Sequence, residues 1–140
     1  MKVNLAKTDT ELEIIAPMLQ QLRNTLSVEK ILQQIKKQYD RGYRLAYVEQ
    51  KQEVQSVAGF TISCNLAWGK HMYIEDLVSN SDSRSQGFGK FILDWLKSYA
   101  LENSCQQIHL DSGVQRFAAH KFYLREGFQI ASHHFSIKNL

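Results

Sequence analysis

Proline and cysteine are nearly absent from this 140-residue chain, which has one of the first, Pro17, and two of the second, Cys64 and Cys105. Without proline-rich or low-complexity stretches, and without internal repeats, nothing marks a linker, so residues 1–140 read as a single domain. The cysteines have no second thiol or histidine nearby at metal-ligand spacing. That excludes a disulfide scaffold, argues against a metal site and leaves buried, reduced thiols as the expectation. No run of about 18 apolar residues occurs, and Met1-Lys2-Val3-Asn4-Leu5-Ala6-Lys7-Thr8-Asp9 lacks an apolar signal core. Neither a membrane span nor a secretory signal is expected, and the default location is cytoplasmic. One-sided charge is missing too: 17 Lys and Arg face 14 Asp and Glu for a formal +3, interleaved along the chain. Such a balance points to no nucleic acid and no membrane, and suits a small anionic ligand. What remains is ordinary globular composition, 44% hydrophobic, 11% aromatic and 22% charged. A chain of this length buries roughly 68–70% of its unfolded surface, enough for a core.

Periodicity gives the element order β, α, α, β, β, β, α, β, α, β. Val3 to Ala6 reads as a strand. Either Thr8-x-x-Glu11 or Thr10-x-x-Glu13 offers a capping box for a helix bearing Leu12, Ile15, Met18, Leu19 and Leu22, which Pro17 should shorten, kink or delay. Ser27 caps a second helix with Val28, Ile31, Leu32, Ile35 and Tyr39 on one face, and Gly42 is placed to end it. Tyr43 to Glu49 and Val54 to Cys64 form a hairpin around Gln50-Lys51-Gln52-Glu53, and His71 to Ser79 is a third strong strand. The polar turn Asn80-Ser81-Asp82-Ser83 leads to a helix with Phe88, Phe91, Ile92, Trp95, Leu96 and Tyr99 on a wide apolar face. Gln107 to Asp111 is a strand, Phe117 to Arg125 a helix followed by Gly127, and Phe128 to Ile137 a final strand. Antiparallel hairpins followed by strand-helix units imply an α/β fold, a mixed sheet covered by helices.

Between the third strong strand and the long amphipathic helix lies Arg84-Ser85-Gln86-Gly87-Phe88-Gly89-Lys90. Glycines allow a tight turn and close backbone approach. The first turn of the following helix presents unpaired N–H groups and a positive dipole end to a phosphate or pyrophosphate, with Arg84 and Lys90 adding charge. A Walker A loop needs four residues between its glycines and then Lys-Ser/Thr, which are absent. A Rossmann fingerprint needs a third small residue where this chain has Ile92, and a first βαβ unit where this chain has antiparallel strands.

The remaining pattern, Arg/Gln-x-x-Gly-x-Gly/Ala, here Arg84-x-x-Gly87-x-Gly89, resembles the acyl-CoA loop of the GNAT superfamily of N-acetyltransferases. Glu75-Asp76-Leu77-Val78 resembles that family's splayed central strand, and Ala119-His120-Lys121-Phe122-Tyr123-Leu124-Arg125-Glu126-Gly127-Phe128 its terminal helix, so the resemblance spans essentially the whole chain. It implies a mostly antiparallel mixed sheet with a splayed central strand flanked by helices. It also implies direct transfer of an acetyl group from acetyl-CoA to a primary amine in a ternary complex, with no metal. Backbone groups at Leu77 and Val78 would bind the pantetheine arm. The N–H groups from Gln86 through Gly87, Phe88 and Gly89 to Lys90 would hold the pyrophosphate, with Arg84 and the adjoining Ser85 in the same loop. Tyr123 matches the family tyrosine that protonates the departing thiolate. Glu75, with Asp76 as runner-up, matches the base of the spermidine/spermine acetyltransferase branch. Homodimers are common in the resembled family.

A base matters because an amine of pKa near 10.4 is only about 0.1% neutral around pH 7.4, a deficit of roughly 4 kcal/mol. Glu75 and Asp76 are adjacent, and neighbours on a regular strand face opposite ways unless a bulge re-aims one. The acidic pair favours a cationic acceptor, on a small molecule or a peptide. The family often has asparagine where this chain has Arg116, so that contact to the CoA arm is either lost or remade, with Ser112 or Arg116 as the candidates to replace it. An acyl-CoA-binding regulatory module without transfer chemistry is the alternative from another class. His133-His134 diverge on a strand and lack a third ligand, so no metal site is expected there. Trp68 reads as a hairpin anchor or as a substrate contact.

Overall fold

The computed structural model describes residues 1–83 and 86–140. Its elements are β1 (Lys2–Leu5), α1 (Asp9–Leu22), α2 (Val28–Tyr39), β2 (Arg44–Gln50), β3 (Glu53–Asn65), β4 (Gly69–Ser79), a single 3-10 turn (Ser81–Ser83), α3 (Phe88–Glu102), β5 (Gln107–Leu110) and α4 (Phe117–Arg125). The strands form one five-stranded sheet in the order β1-β2-β3-β4-β5, whose first four members are antiparallel. The chain divides into two compact units, Met1–His109 and Leu110–Leu140.

In the first unit, alternation along β3 builds two faces. Val57 points to the side where Leu45, Tyr47 and Val78 meet Leu12, Ile15, Leu19, Ile31 and Ile35 of α1 and α2 in one buried cluster. Phe60 points the other way, edge-on to Trp95 and Tyr99 of α3, and Ser56 Oγ on that same face donates to the Phe88 carbonyl at 3.3 Å. Each fully buried aliphatic or aromatic side chain of this kind contributes about 1.5–3 kcal/mol, so both helical layers are held chiefly by apolar burial.

Local signals operate as their chemistry requires. The first of the two possible capping boxes is the one formed: Thr8 Oγ1 accepts from Glu11 N at 3.1 Å, and Glu11 Oε1 accepts from Thr8 N at 3.2 Å. Ser27 Oγ accepts from Lys30 N at 3.0 Å at the head of α2, and Gly42, at φ +96°, turns the chain out of it. The β2–β3 hairpin closes on Lys51 and Gln52, both left-handed at φ 55° and 65°, the conformation of a two-residue type I′ turn.

Three expectations are corrected. Pro17 neither shortens nor delays α1, which runs 14 residues through it; burial of Leu12, Ile15, Ala16, Met18 and Leu19 outweighs the missing hydrogen bond. The cysteines are not buried: Cys64 is exposed and Cys105 half-buried, both free. Cys64 pairs with Lys70 in the last rungs of the β3–β4 hairpin, where the sheet runs beyond its helical cover. No strand forms over Phe128–Ile137. Its apolar residues change phase, Phe128 and Ile130 on one parity and Phe135 and Ile137 on the other, so no single face of a ladder could be buried. No helix among the described residues is long and apolar enough to cross a membrane.

Candidate active site

The pairing of β3 with β4 breaks once. Phe60 lies opposite Ile74 and Gly59 opposite Asp76, leaving Glu75 as an extra residue in β4. Such a bulge bends the strand and re-aims a side chain. Glu75 is exposed, whereas Ile74 is buried. Burial and the neighbouring Asp76 push the Glu75 carboxyl above the ordinary carboxylate range, opposed by the Arg23 guanidinium.

Asp76 is held at both carboxylate oxygens. Tyr43 Oη donates to its Oδ2 at 2.6 Å, and Arg23 Nε donates to its Oδ1 at 3.0 Å, with Nη2 in ion-pair contact with the same oxygen at 2.8 Å. The same Nη2 reaches the Glu75 carbonyl at 2.9 Å. Tyr43 reaches Asp76 by lying across Gly59, where a Cβ would stand 1.8 Å from Tyr43 Oη. Burial first, and then the Asp76 charge and hydrogen bond, raise the Tyr43 hydroxyl well above its ordinary pKa, so it stays a donor. Tyr43, Arg23 and Gly59 were not singled out from the sequence. Gly59 carried the one available signal, since an isolated glycine inside a strand marks close approach by another group.

Leu77 and Val78 continue the strand opposite Ala58 and Val57; Val78 is buried in the core on the α1–α2 side. Arg84 and Ser85 lie outside the described residues. Gly87, at φ +86°, is the N-cap of α3 and caps no amide with a side chain. The first-turn N–H groups at Phe88, Gly89 and Lys90 therefore head an uncapped helix, the arrangement that receives a phosphate. Lys90 Nζ lies 3.2 Å from Asp94. Also in this unit, Trp68 stacks on His109 with ring centroids 3.5 Å apart and meets His71 edge-on. Trp68 is thus a packing anchor at the hairpin end.

In the second unit, Tyr123 is buried with its ring edge-on to Phe122 and Phe128. Burial raises its hydroxyl pKa, against a smaller opposing effect of Arg116, so the proton is retained at neutral pH. Arg116 is the N-cap of α4 without a side-chain cap. Ser112 Oγ is buried with no hydrogen-bond partner among the described residues, which leaves it open to a ligand. His134 lies 3.5 Å from Asp111, and no group of three metal-ligating side chains occurs among the described residues.

Comparison with known proteins resolves what fold and site together describe. Residues 12–128 match the Acetyltransferase (GNAT) family. The chain belongs to that family. Among relatives, it is 31% identical over 121 residues to the Uncharacterized N-acetyltransferase YhdJ of Bacillus subtilis, covering 85% of each chain. A ribosomal-protein-alanine N-acetyltransferase from Brucella melitensis superposes with a TM-score of 0.84 at 15% identity, covering 99% of this chain and 100% of that one. The aminoglycoside N-acetyltransferase AAC(6′)-Iy, in complex with CoA, superposes at 0.83 with 12% identity, covering 99% of this chain and 95% of that one. At such identities the two structures speak for fold alone, and the GNAT fold expected from the motifs is the fold found.

Proposed function

We propose that this GNAT protein transfers the acetyl group of acetyl-CoA to a primary amine, an ammonium in its free form, on a small molecule or peptide. The observation that carries the proposal is the asymmetry of the two adjacent acids. Asp76 is committed to Tyr43 and Arg23, while Glu75 is exposed on a bulge with a raised pKa. A raised carboxyl is the better proton acceptor, because its basicity is closer to that of the proton's source.

In the proposed reaction the ammonium loses a proton to the Glu75 carboxylate, directly or through water. The amine lone pair then forms a C–N bond to the thioester carbonyl, the C–S bond breaks, and the thiolate leaves with the proton of the Tyr123 hydroxyl; the new amide nitrogen gives up its second proton to solvent, from which the Tyr123 phenolate is reprotonated. Tyr123 keeps that proton until it is needed, because burial disfavours its phenolate. The backbone N–H groups at the α3 N-terminus, from Gly87 to Lys90, would bind pyrophosphate oxygens, with Gln86 in the turn before them. Leu77 and Val78 would offer backbone groups to the pantetheine arm.

The test is acetyl-CoA-dependent thiol release against polyamines, amino sugars, amino acids and short peptides. Turnover of one amine class, falling about 10²–10⁴-fold in Tyr123→Phe and in Glu75→Gln, supports the reading. Saturable acetyl-CoA binding without turnover would instead support an acyl-CoA-binding regulatory module.

A further inference from the structure

A cleft opens beside the bulge, lined by Leu19 and Arg23 of the α1 end, Leu26 of the following loop, Ile31 and Ile35 of α2, and Asp76 of β4. Gln34, Gln38 and Tyr43 add polar groups to it. The loop that walls it is fixed by its own bonds: Gln20 Nε2 donates to the Leu26 carbonyl at 3.0 Å, and Leu26 N donates to the Arg23 carbonyl at 3.1 Å. Resting on the reading of Glu75 as base, we infer that this cleft takes the body of the acceptor, and that Arg23 selects a primary amine carrying an acidic group over one carrying a second ammonium.

The argument is one of charge and of unused donors. Two carboxylates at the bulge would make a doubly anionic site suited to a polycation. Arg23, however, sits on Asp76 and on the Glu75 carbonyl, so the local net charge is that of one carboxylate. One ammonium satisfies it. A second ammonium in the cleft would meet the guanidinium, a like charge.

Arg23 uses its Nε and Nη2 edge on the bulge, and its Nη1 has no hydrogen-bond partner among the described residues. Its side chain is 49% exposed while that of Asp76 is 14% exposed, so the cation is the more accessible member of the pair. A guanidinium with a free N–H edge is suited to an oxyanion, carboxylate or phosphonate. Leu19, Leu26, Ile31 and Ile35 offer an apolar wall to the carbon chain between the two ends. The acceptor class is therefore a zwitterionic primary amine with an apolar stem.

Four amines of matched length test this: 5-aminopentanoate, 4-aminobutylphosphonate, pentylamine and 1,5-diaminopentane, assayed by thiol release with wild type, Arg23→Gln and Arg23→Lys. Each kcat/KM is taken relative to pentylamine, which cancels any general loss of activity in a variant. The expected wild-type order is acid, then neutral amine, then diamine, with tenfold or more between the extremes. Arg23→Gln should reduce the acid preference at least tenfold and raise the diamine ratio, whereas Arg23→Lys should keep the order. The carboxylate and phosphonate arms show which oxyanion is preferred. A wild-type preference for the diamine, or ratios unmoved in Arg23→Gln, overturns the inference while leaving transferase activity standing. Absence of thiol release with all four and with the wider amine panel overturns the transferase reading, and this inference with it.

Discussion

Substituting Gly59 by alanine should destabilise the fold, because a Cβ at Gly59 would meet the Tyr43 ring. Gly59 is not at positive φ, so the backbone itself accepts alanine, and within a strand that exchange alone would stabilise by about 0.5–1 kcal/mol. The new Cβ, however, would lie 1.8 Å from Tyr43 Oη and 2.4 Å from Tyr43 Cζ, and the ring is wedged among buried neighbours at 3% exposure. Overpacking of a core costs about 1–3 kcal/mol. Displacing the ring also breaks the Tyr43–Asp76 hydrogen bond, worth about 1.5–3 kcal/mol because the acceptor is charged. Set against the backbone gain, the expected net loss is about 1.5–5.5 kcal/mol, a large part of the stability of a domain this size. Urea unfolding of Gly59→Ala, Tyr43→Ala and the double variant reads the interaction directly. Once Tyr43 is truncated, Gly59→Ala should become neutral or favourable, giving a coupling of about 2 kcal/mol or more. A Gly59→Ala protein within about 0.5 kcal/mol of wild type, or strictly additive single effects, would refute the packing argument.

Three further outcomes are expected. Glu75 has a folded-state pKa above its unfolded value, so it binds more protons folded than unfolded and its contribution to stability is lost as pH rises through the folded pKa; Glu75→Gln should be more stable than wild type at pH 7, with the advantage gone below about pH 4 in melts across pH. Lys51→Asn with Gln52→Gly places the preferred residues at two positive-φ positions and should stabilise the hairpin by about 1 kcal/mol, measured by denaturant midpoint. Thr8→Ala removes the acceptor for Glu11 N and should destabilise by about 1 kcal/mol, an expectation that an unchanged thermal midpoint would contradict.

Much of the fold was readable because its signals are local. The α4 bounds, the Ser27 cap and the start of α3 after Gly87 follow from periodicity and from turn chemistry within a few residues. Pro17 misled because the packing of α1, which no local window contains, overrides the proline. The Phe128–Ile137 segment misled because its apolar residues change phase midway, a break that only the whole segment reveals. At the site, the acids were visible as residue types, but their inequality was not. It depends on Arg23, 53 residues before Asp76, and on Tyr43, 33 residues before it, and no spacing rule joins positions so far apart. A bulge was named as the condition for distinct roles, but its place at Glu75 is a property of register between two strands.

That bulge has a consequence for how the chemistry is carried. Ile74 and Asp76 already lie opposite adjacent residues of β3, so the ladder on either side would close without a break if Glu75 were not there. Every other side chain of β4 would keep the face it has now. The carboxylate assigned to catalysis thus rides on a spare link, one that neither the sheet's hydrogen bonding nor its core requires. A chain shortened by that single residue should fold like its parent and lack the carboxylate proposed as the base, so scaffold and proposed reactivity would be separable by one codon.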